Sequence, residues 1–180
     1  MRIKKYHRLL AGMLILMLGL SLLPVAAAAE TEEKLTGISI YGVNRAHYSS
    51  SYVTAVPQML LDGVIGVDTN MWHLKNNAYS AHITFDLGES VTVTKLNVYS
   101  RLNFYDCNIK EYDLWLSDSA PTYTDTTGGT VPTGLAAVPT IQNGTMAACD
   151  ASATYGTITL PENSSGRYLT LYIKNTYIDY

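Results

Sequence analysis

The stretch 167-RYLTLYIKN-175 alternates without interruption: Leu169, Leu171 and Ile173 fall on one side, Tyr168, Thr170 and Tyr172 on the other. A period of two puts successive side chains on opposite faces of a pleated strand, whereas a helix repeats about every 3.6 residues. Two further runs share the pattern. In 83-ITFDL-87, Ile83, Phe85 and Leu87 oppose Thr84 and Asp86; in 111-EYDLWLS-117, Tyr112, Leu114 and Leu116 oppose Glu111, Asp113 and Trp115. Within 91-VTVTKLNVY-99, Val91 and Val93 alternate with Thr until the phase slips at Thr94-Lys95, after which Leu96 and Val98 alternate with Asn97 and Tyr99. Such a slip marks a bulge or a turn. Weaker strand signals sit at 37-GISIYG-42 and 156-GTITLP-161. The one helical signal is 54-TAVPQMLLDG-63, a short turn that would carry Met59 and Leu60 inward and stop at Gly63. The Ser/Thr/Pro/Gly-rich segment 117-SDSAPTYTDTTGGTVPTGLAAVPT-140 reads as a long surface loop or irregular crossover. No internal repeat is present. Val, Ile, Thr and Tyr enrichment between Gly, Asp, Asn and Pro breaks predicts a one-domain, all-β sandwich or jelly roll.

Residues 1–29 stand apart. Arg2, Lys4, Lys5 and Arg8 precede an apolar run from Leu9 to Leu23, and Pro24 with 25-VAAAA-29 supplies a small-residue cleavage tail. This is the pattern of a secretory signal peptide; an uncleaved membrane anchor is the alternative, for which the run is slightly short. The expected organisation is a signal at 1–29, a short linker at 30–36 and one domain at 37–180, in a secreted or cell-surface protein. Export removes four of the twelve basic residues and no acidic ones, leaving eight Lys+Arg against fifteen Asp+Glu, a formal net charge of −7. An acidic, Tyr-rich chain argues against nucleic acid as partner, because Lys and Arg carry phosphate binding. About 150 residues suffice for one substantial core.

Cys107 and Cys149 would lie in an oxidising compartment. A disulfide is permitted there; two small buried residues or free thiols fit the sequence equally. Asn143-Gly-Thr and Asn163-Ser-Ser match the glycosylation sequon, which matters only in a host that glycosylates exported proteins.

Taken in order, LLDG, an acidic spacer, Trp-His, ITFDLG, LNVYSR, IKEYDLWLSDS and GRYLTLYI resemble the discoidin family, from about Gly37 to the C-terminus. That family comprises the coagulation factor V/VIII type C (F5/8 type C) domains and their bacterial relatives, the carbohydrate-binding modules of family 32. The resemblance implies a galactose-binding-like jelly-roll β-sandwich of about eight strands, ligand recognition by loops at one end, and a structural calcium ion nearby. It does not imply catalysis.

For calcium, which takes six to eight oxygens, the resemblance points to Asp62, Asp68 and Asn70, with Thr69 able to add a hydroxyl. Two features depart from the family. The spacer 64-VIGV-67 is longer and more apolar than usual. The chain also stops at 178-IDY-180, where the family continues into a last strand carrying a Glu, so the last strand is expected to be missing or short, with Asp179 the nearest substitute. The residue-level alternative is an ordinary Asp-Gly turn at Asp62-Gly63.

For a sugar, the positions matching the polar contacts of galactose-type members are His73, Arg101 and Asn108, with Asp106 as the alternative to Asn108. Ser100 replaces the family's Pro before the Arg. Stacking candidates are Phe104, Tyr105 and Tyr177, since sugars combine an aromatic face with hydrogen-bonding groups; Tyr79 is the one aromatic shortly after His73. Structural readings stand beside these. Trp72 reads as a core anchor, His73 as a surface histidine, and Arg101 as a rim partner of Asp106 or Glu89. Trp115, on the polar phase of its strand, packs against the long loop or forms a small exposed patch, and His47 and His82 read as surface or strand-face residues.

The leading expectation is an exported, non-catalytic module that binds terminal galactose- or N-acetylgalactosamine-type sugars on a glycan or glycoprotein. Alternatives are a protein- or cell-surface-adhesion module using the same loops, and the N-terminal module of a larger or truncated glycoside-active enzyme. Anionic membrane is disfavoured by the −7 charge and the lack of a basic loop with apolar spikes. Enzyme activity within the chain is not expected, because no Ser-His-Asp elbow, H-E-x-x-H or catalytic carboxylate pair is present.

Overall fold

The structure, a computed structural model, describes residues 33–45, 56–65, 71–72, 80–101 and 108–177. The proposed signal and residues His47, Asp68, Asn70, His73, Tyr79, Phe104, Tyr105, Asp106, Cys107 and Asp179 lie outside them. The second of the chain's two compact units begins at Leu35. Within it are seven strands among the described residues: β1 (Ser39–Val43), β2 (Ala81–Thr92), β3 (Lys95–Tyr99), β4 (Ile109–Ser117), β5 (Ile141–Thr145), β6 (Tyr155–Thr159) and β7 (Ser165–Thr176). They form a five-stranded sheet in the order β1-β2-β7-β4-β5 and a two-stranded sheet of β3 and β6, with antiparallel pairing throughout.

The alternating runs zip together in register. Ile83 faces Leu171, which faces Leu114; Phe85 faces Leu169, which faces Leu116. These rows form one inner face, onto which Leu96, Val98 and Ile158 of the two-stranded sheet pack to close the core. Ile83, Leu114 and Ile158 are at most 1% exposed, so the core sits between the sheets, as a sandwich requires. At the phase slip, Thr94-Lys95, the chain leaves one sheet for the other. Val93 donates to the Ser164 carbonyl (2.9 Å) and the Thr94 carbonyl accepts from Leu160 (2.9 Å).

The outer face of the five-stranded sheet carries the rows His82–Tyr172–Asp113 and Thr84–Thr170–Trp115. An antiparallel sheet commonly leaves its polar face wet, yet here Thr84, Thr170 and His82 are buried. The long segment after β4 covers them. It closes on itself through a bridge between Thr122 and Thr133, and Tyr123 lays its hydroxyl 2.8 Å from Thr84 Oγ1, which in turn meets Thr170 Oγ1 at 2.7 Å. Glycine is required at position 42, where any Cβ would collide with the Tyr123 ring. Trp115 packs against the loop, its indole N–H donating to the Ala136 carbonyl at 2.9 Å. Trp115→Phe keeps most of the ring and deletes this bond, so it should lower stability by about 1 kcal/mol in urea unfolding.

Two local expectations are corrected, and one strand, β5, has no counterpart in the alternating runs. The turn in 54–63 is a single 3-10 turn, Pro57–Leu60, whose buried residue is Pro57; Leu60 is 45% exposed rather than inward, because one tight turn directs only one position at the core. β5 carries no alternation: Ile141 is its one apolar residue, Asn143 takes a positive φ of 54°, and Gly144 admits the Tyr112 ring. His82 is the strand-face residue of the two alternatives, on the outer face of β2, but it is buried rather than at the surface. Its ring stacks on Tyr172 (centroids 4.1 Å, 4° between planes) and Asn44 clamps it through backbone and side chain.

Candidate functional site

Strand order determines which loops meet. β1 ends, β2 begins, β4 begins and β7 ends at the same edge of the main sheet, since Val43 pairs with Ile83, Ala81 with Ile173, and Ile109 with Thr176. The β3–β4 connection opens with Ser100 and Arg101 and closes with Asn108 at that edge. Trp72, one residue before His73, is anchored there too: its indole donates to the carbonyl of Arg45 (3.2 Å), two residues past β1. Half-buried and packed against the core, Trp72 holds the structural place expected of it.

Of the expected sugar contacts, Arg101, Asn108 and Tyr177 fall within the described residues. Arg101 is half-buried at the tip of the β3–β6 ladder, which extends past the strands through Ser100 N–H to the Thr154 carbonyl (2.9 Å). Tyr177 follows β7, and its hydroxyl donates to the Met146 carbonyl at 2.6 Å while the Lys110 ammonium lies 5.7 Å from its ring centroid. A cation over a tyrosine face is attracted by the ring quadrupole, so Lys110 and Tyr177 form a unit that sequence reading missed. The available signal was alternation: Lys110 follows Ile109 and must point away from the core.

Asn108 is corrected. It is 3% exposed, and its amide donates to Cys149 Sγ (2.7 Å) and Met146 Sδ (3.9 Å). Its backbone carbonyl accepts from Tyr177 N–H at 3.2 Å. With its amide nitrogen turned to the two sulfurs and its backbone bonded to Tyr177, it ties the start of β4 to the end of β7 from a buried position rather than facing a ligand. Cys149 is a free thiol. Burial pushes its pKa up, so it stays a protonated thiol acting as a small buried group.

Asp62 is exposed, and its Oδ1 accepts the Val64 N–H (2.9 Å) in a turn that Gly63 permits with φ of +78°. Asp68 and Asn70 lie outside the described residues. Among the described residues no group of three His, Cys, Asp or Glu side chains gathers in metal-binding range.

The F5/8 type C domain model matches residues 44–179, from the Asn after β1 to beyond Tyr177. The chain belongs to the F5/8 type C domain family. Solved structures agree on the fold of this F5/8 type C domain. A family 32 carbohydrate-binding module from Clostridium perfringens, solved in complex with GalNAc-β-1,3-galactose, is 18% identical with a TM-score of 0.52, over 77% of this chain and 85% of that one. The family 32 carbohydrate-binding module of Streptococcus pneumoniae EndoD is 16% identical with a TM-score of 0.50, over 79% and 85%. A fragment of a putative chitobiase from Bacteroides thetaiotaomicron is 13% identical with a TM-score of 0.57, over 84% and 87%. No curated protein matches the chain. The expected galactose-binding-like jelly roll is therefore the fold of this F5/8 type C domain, and it is the fold of family 32 carbohydrate-binding modules.

Proposed function

We propose that this chain is an exported, non-catalytic carbohydrate-binding module that takes terminal galactose- or N-acetylgalactosamine-type sugars at the loop end of the sandwich. The observation that carries the reading is the gathering of loop ends there: Arg101 after β3, Lys110 on β4, Tyr177 after β7 and Trp72, the residue before His73. Arg101 and His73 would hydrogen-bond ring hydroxyls, and Tyr177, with the aromatic pair Phe104 and Tyr105, would supply stacking surface. The similar Clostridium perfringens module was solved holding a disaccharide of this class, which supports the ligand class chosen.

The same reading assigns Asp62, Asp68 and Asn70 to a structural calcium that would brace the loop before Trp72. A glycan screen with and without chelator tests both parts. Galactose- or GalNAc-terminated glycans should bind, Arg101→Ala should weaken them at least about tenfold, equivalent to roughly 1.4 kcal/mol, and His73→Ala should do the same. Binding untouched by both substitutions would sink the site. For the metal, chelator should lower the melting temperature and calcium restore it; a melting temperature indifferent to both would remove calcium from the proposal.

A further inference from the structure

The open face of the β3–β6 ribbon carries features that the loop site does not use. β3 alternates Lys95, Asn97 and Tyr99 outward with Leu96 and Val98 inward; β6 alternates Tyr155, Thr157 and Thr159 outward with Ile158 fully buried. The outward residues pair directly across the ladder, Tyr99 with Tyr155, Asn97 with Thr157 and Lys95 with Thr159. The two tyrosines are 45% and 47% exposed, their ring centroids 5.0 Å apart. Single exposed apolar residues are ordinary on a protein surface. Two adjacent rings, tilted 39° to one another on a ribbon about 17 Å long and backed by a packed core, make an aromatic patch that water covers poorly.

The neighbouring chemistry selects the occupant. Thr157 Oγ1 donates to Asn97 Oδ1 at 2.9 Å, so the amide's two N–H donors are the groups offered to a ligand hydroxyl. Among the outward residues of the two strands the one formal charge is Lys95, at the end far from the tyrosines. An acidic or basic peptide would find no complementary charge row, and an apolar helix would meet Asn and Thr. A neutral polyhydroxylated chain finds aromatic faces for its C–H surfaces and amide and hydroxyl groups for its edges.

We propose that this ribbon face, led by Tyr99 and Tyr155, is a second ligand surface that binds a neutral polysaccharide chain independently of the loop end. Affinity electrophoresis through gels containing galactan, xylan or mannan tests it. At least one should slow the wild-type chain twofold or more; Tyr99→Ser/Tyr155→Ser should migrate as in an empty gel, with its melting temperature within a few degrees of wild type. Tyr99→Phe/Tyr155→Phe keeps the rings and should stay retarded, as should Arg101→Ala. Four results would overturn the proposal: no retardation of wild type by any of the three, retardation that survives the serine pair, retardation abolished by Arg101→Ala, or a wild-type dimer that the serine pair dissolves. The third of these would favour the loop site instead, and the fourth would make the face a contact between copies of this chain.

Discussion

Replacing Asn44 by Ala is expected to destabilise the fold by roughly 3–4 kcal/mol, a larger loss than most single polar-to-Ala changes produce. Asn44 is 2% exposed, and its side chain joins three parts of the molecule. Oδ1 accepts the His82 N–H at 2.8 Å, and the amide donates to His82 Nδ1 (3.2 Å) and to the Gly129 carbonyl (3.1 Å). Its backbone adds bonds to His82 O (3.2 Å) and from Gly129 N–H (2.9 Å). Alanine keeps the backbone bonds and deletes the three side-chain ones. Each net hydrogen bond is worth about 1 kcal/mol, so the three give about 3 kcal/mol, and the buried His82 N–H left unpaired adds about 1 kcal/mol more. For a domain of this size the melting temperature should fall by about 10 °C. Because Asn44 pins the covering loop to the sheet, amide exchange at Gly129, Thr122 and Thr133 should speed up beyond the global change. A loss under 1 kcal/mol, or unchanged exchange at Gly129, would show that the loop is held by other contacts.

Why was this clamp invisible in the sequence while the sheet was not? The strand faces follow from period two, a property of neighbouring residues, so the apolar members of the inner rows Ile83–Leu171–Leu114 and Phe85–Leu169–Leu116 are legible from alternation alone. Asn44 acts on residues 38 and 85 positions away, and nothing local to Val43-Asn44-Arg45 marks it. The same limit hid the role of the 117–140 segment: its composition says loop, but that it roofs Thr84, Thr170 and His82 depends on which strands lie beneath it. β5 escaped notice because backbone pairing to β4, not side-chain pattern, makes it a strand. At the loop end, the order of motifs located Arg101 and Asn108 but not their orientation. Asn108 faces inward because two sulfur groups, on Met146 and Cys149, await its amide. Lys110 and Tyr177 meet only once β4 and β7 are paired.

Acid should weaken this domain well before its carboxylates protonate, and His82 is the group responsible. The Asn44 amide donates to Nδ1, which must therefore be unprotonated, and the ring lies flat on Tyr172 with Trp115 at 6.4 Å. Burial removes the water that would solvate an imidazolium, and the pKa falls from 6.5 to about 4, the nearby Asp113 carboxylate offsetting only part of that. Lys174 pairs with Asp113 at 3.2 Å and draws its charge away from the ring. The unfolded chain binds this proton below pH 6.5 while the folded chain does not until about pH 4, so stability is full above pH 6.5 and declines as the pH drops through that window. The loss should reach about 3 kcal/mol near pH 4. Asp86, held below the ordinary carboxylate range by the Arg167 guanidinium and the Gly88 N–H, loses its contribution only at still lower pH, so the two effects separate on the pH axis. His82→Phe retains a ring against Tyr172 and has no proton to gain. Its unfolding free energy, whatever its absolute value, should be flat from pH 6.5 to 4.5 where the wild type slopes. Equal slopes in the two proteins would assign the acid sensitivity to another group.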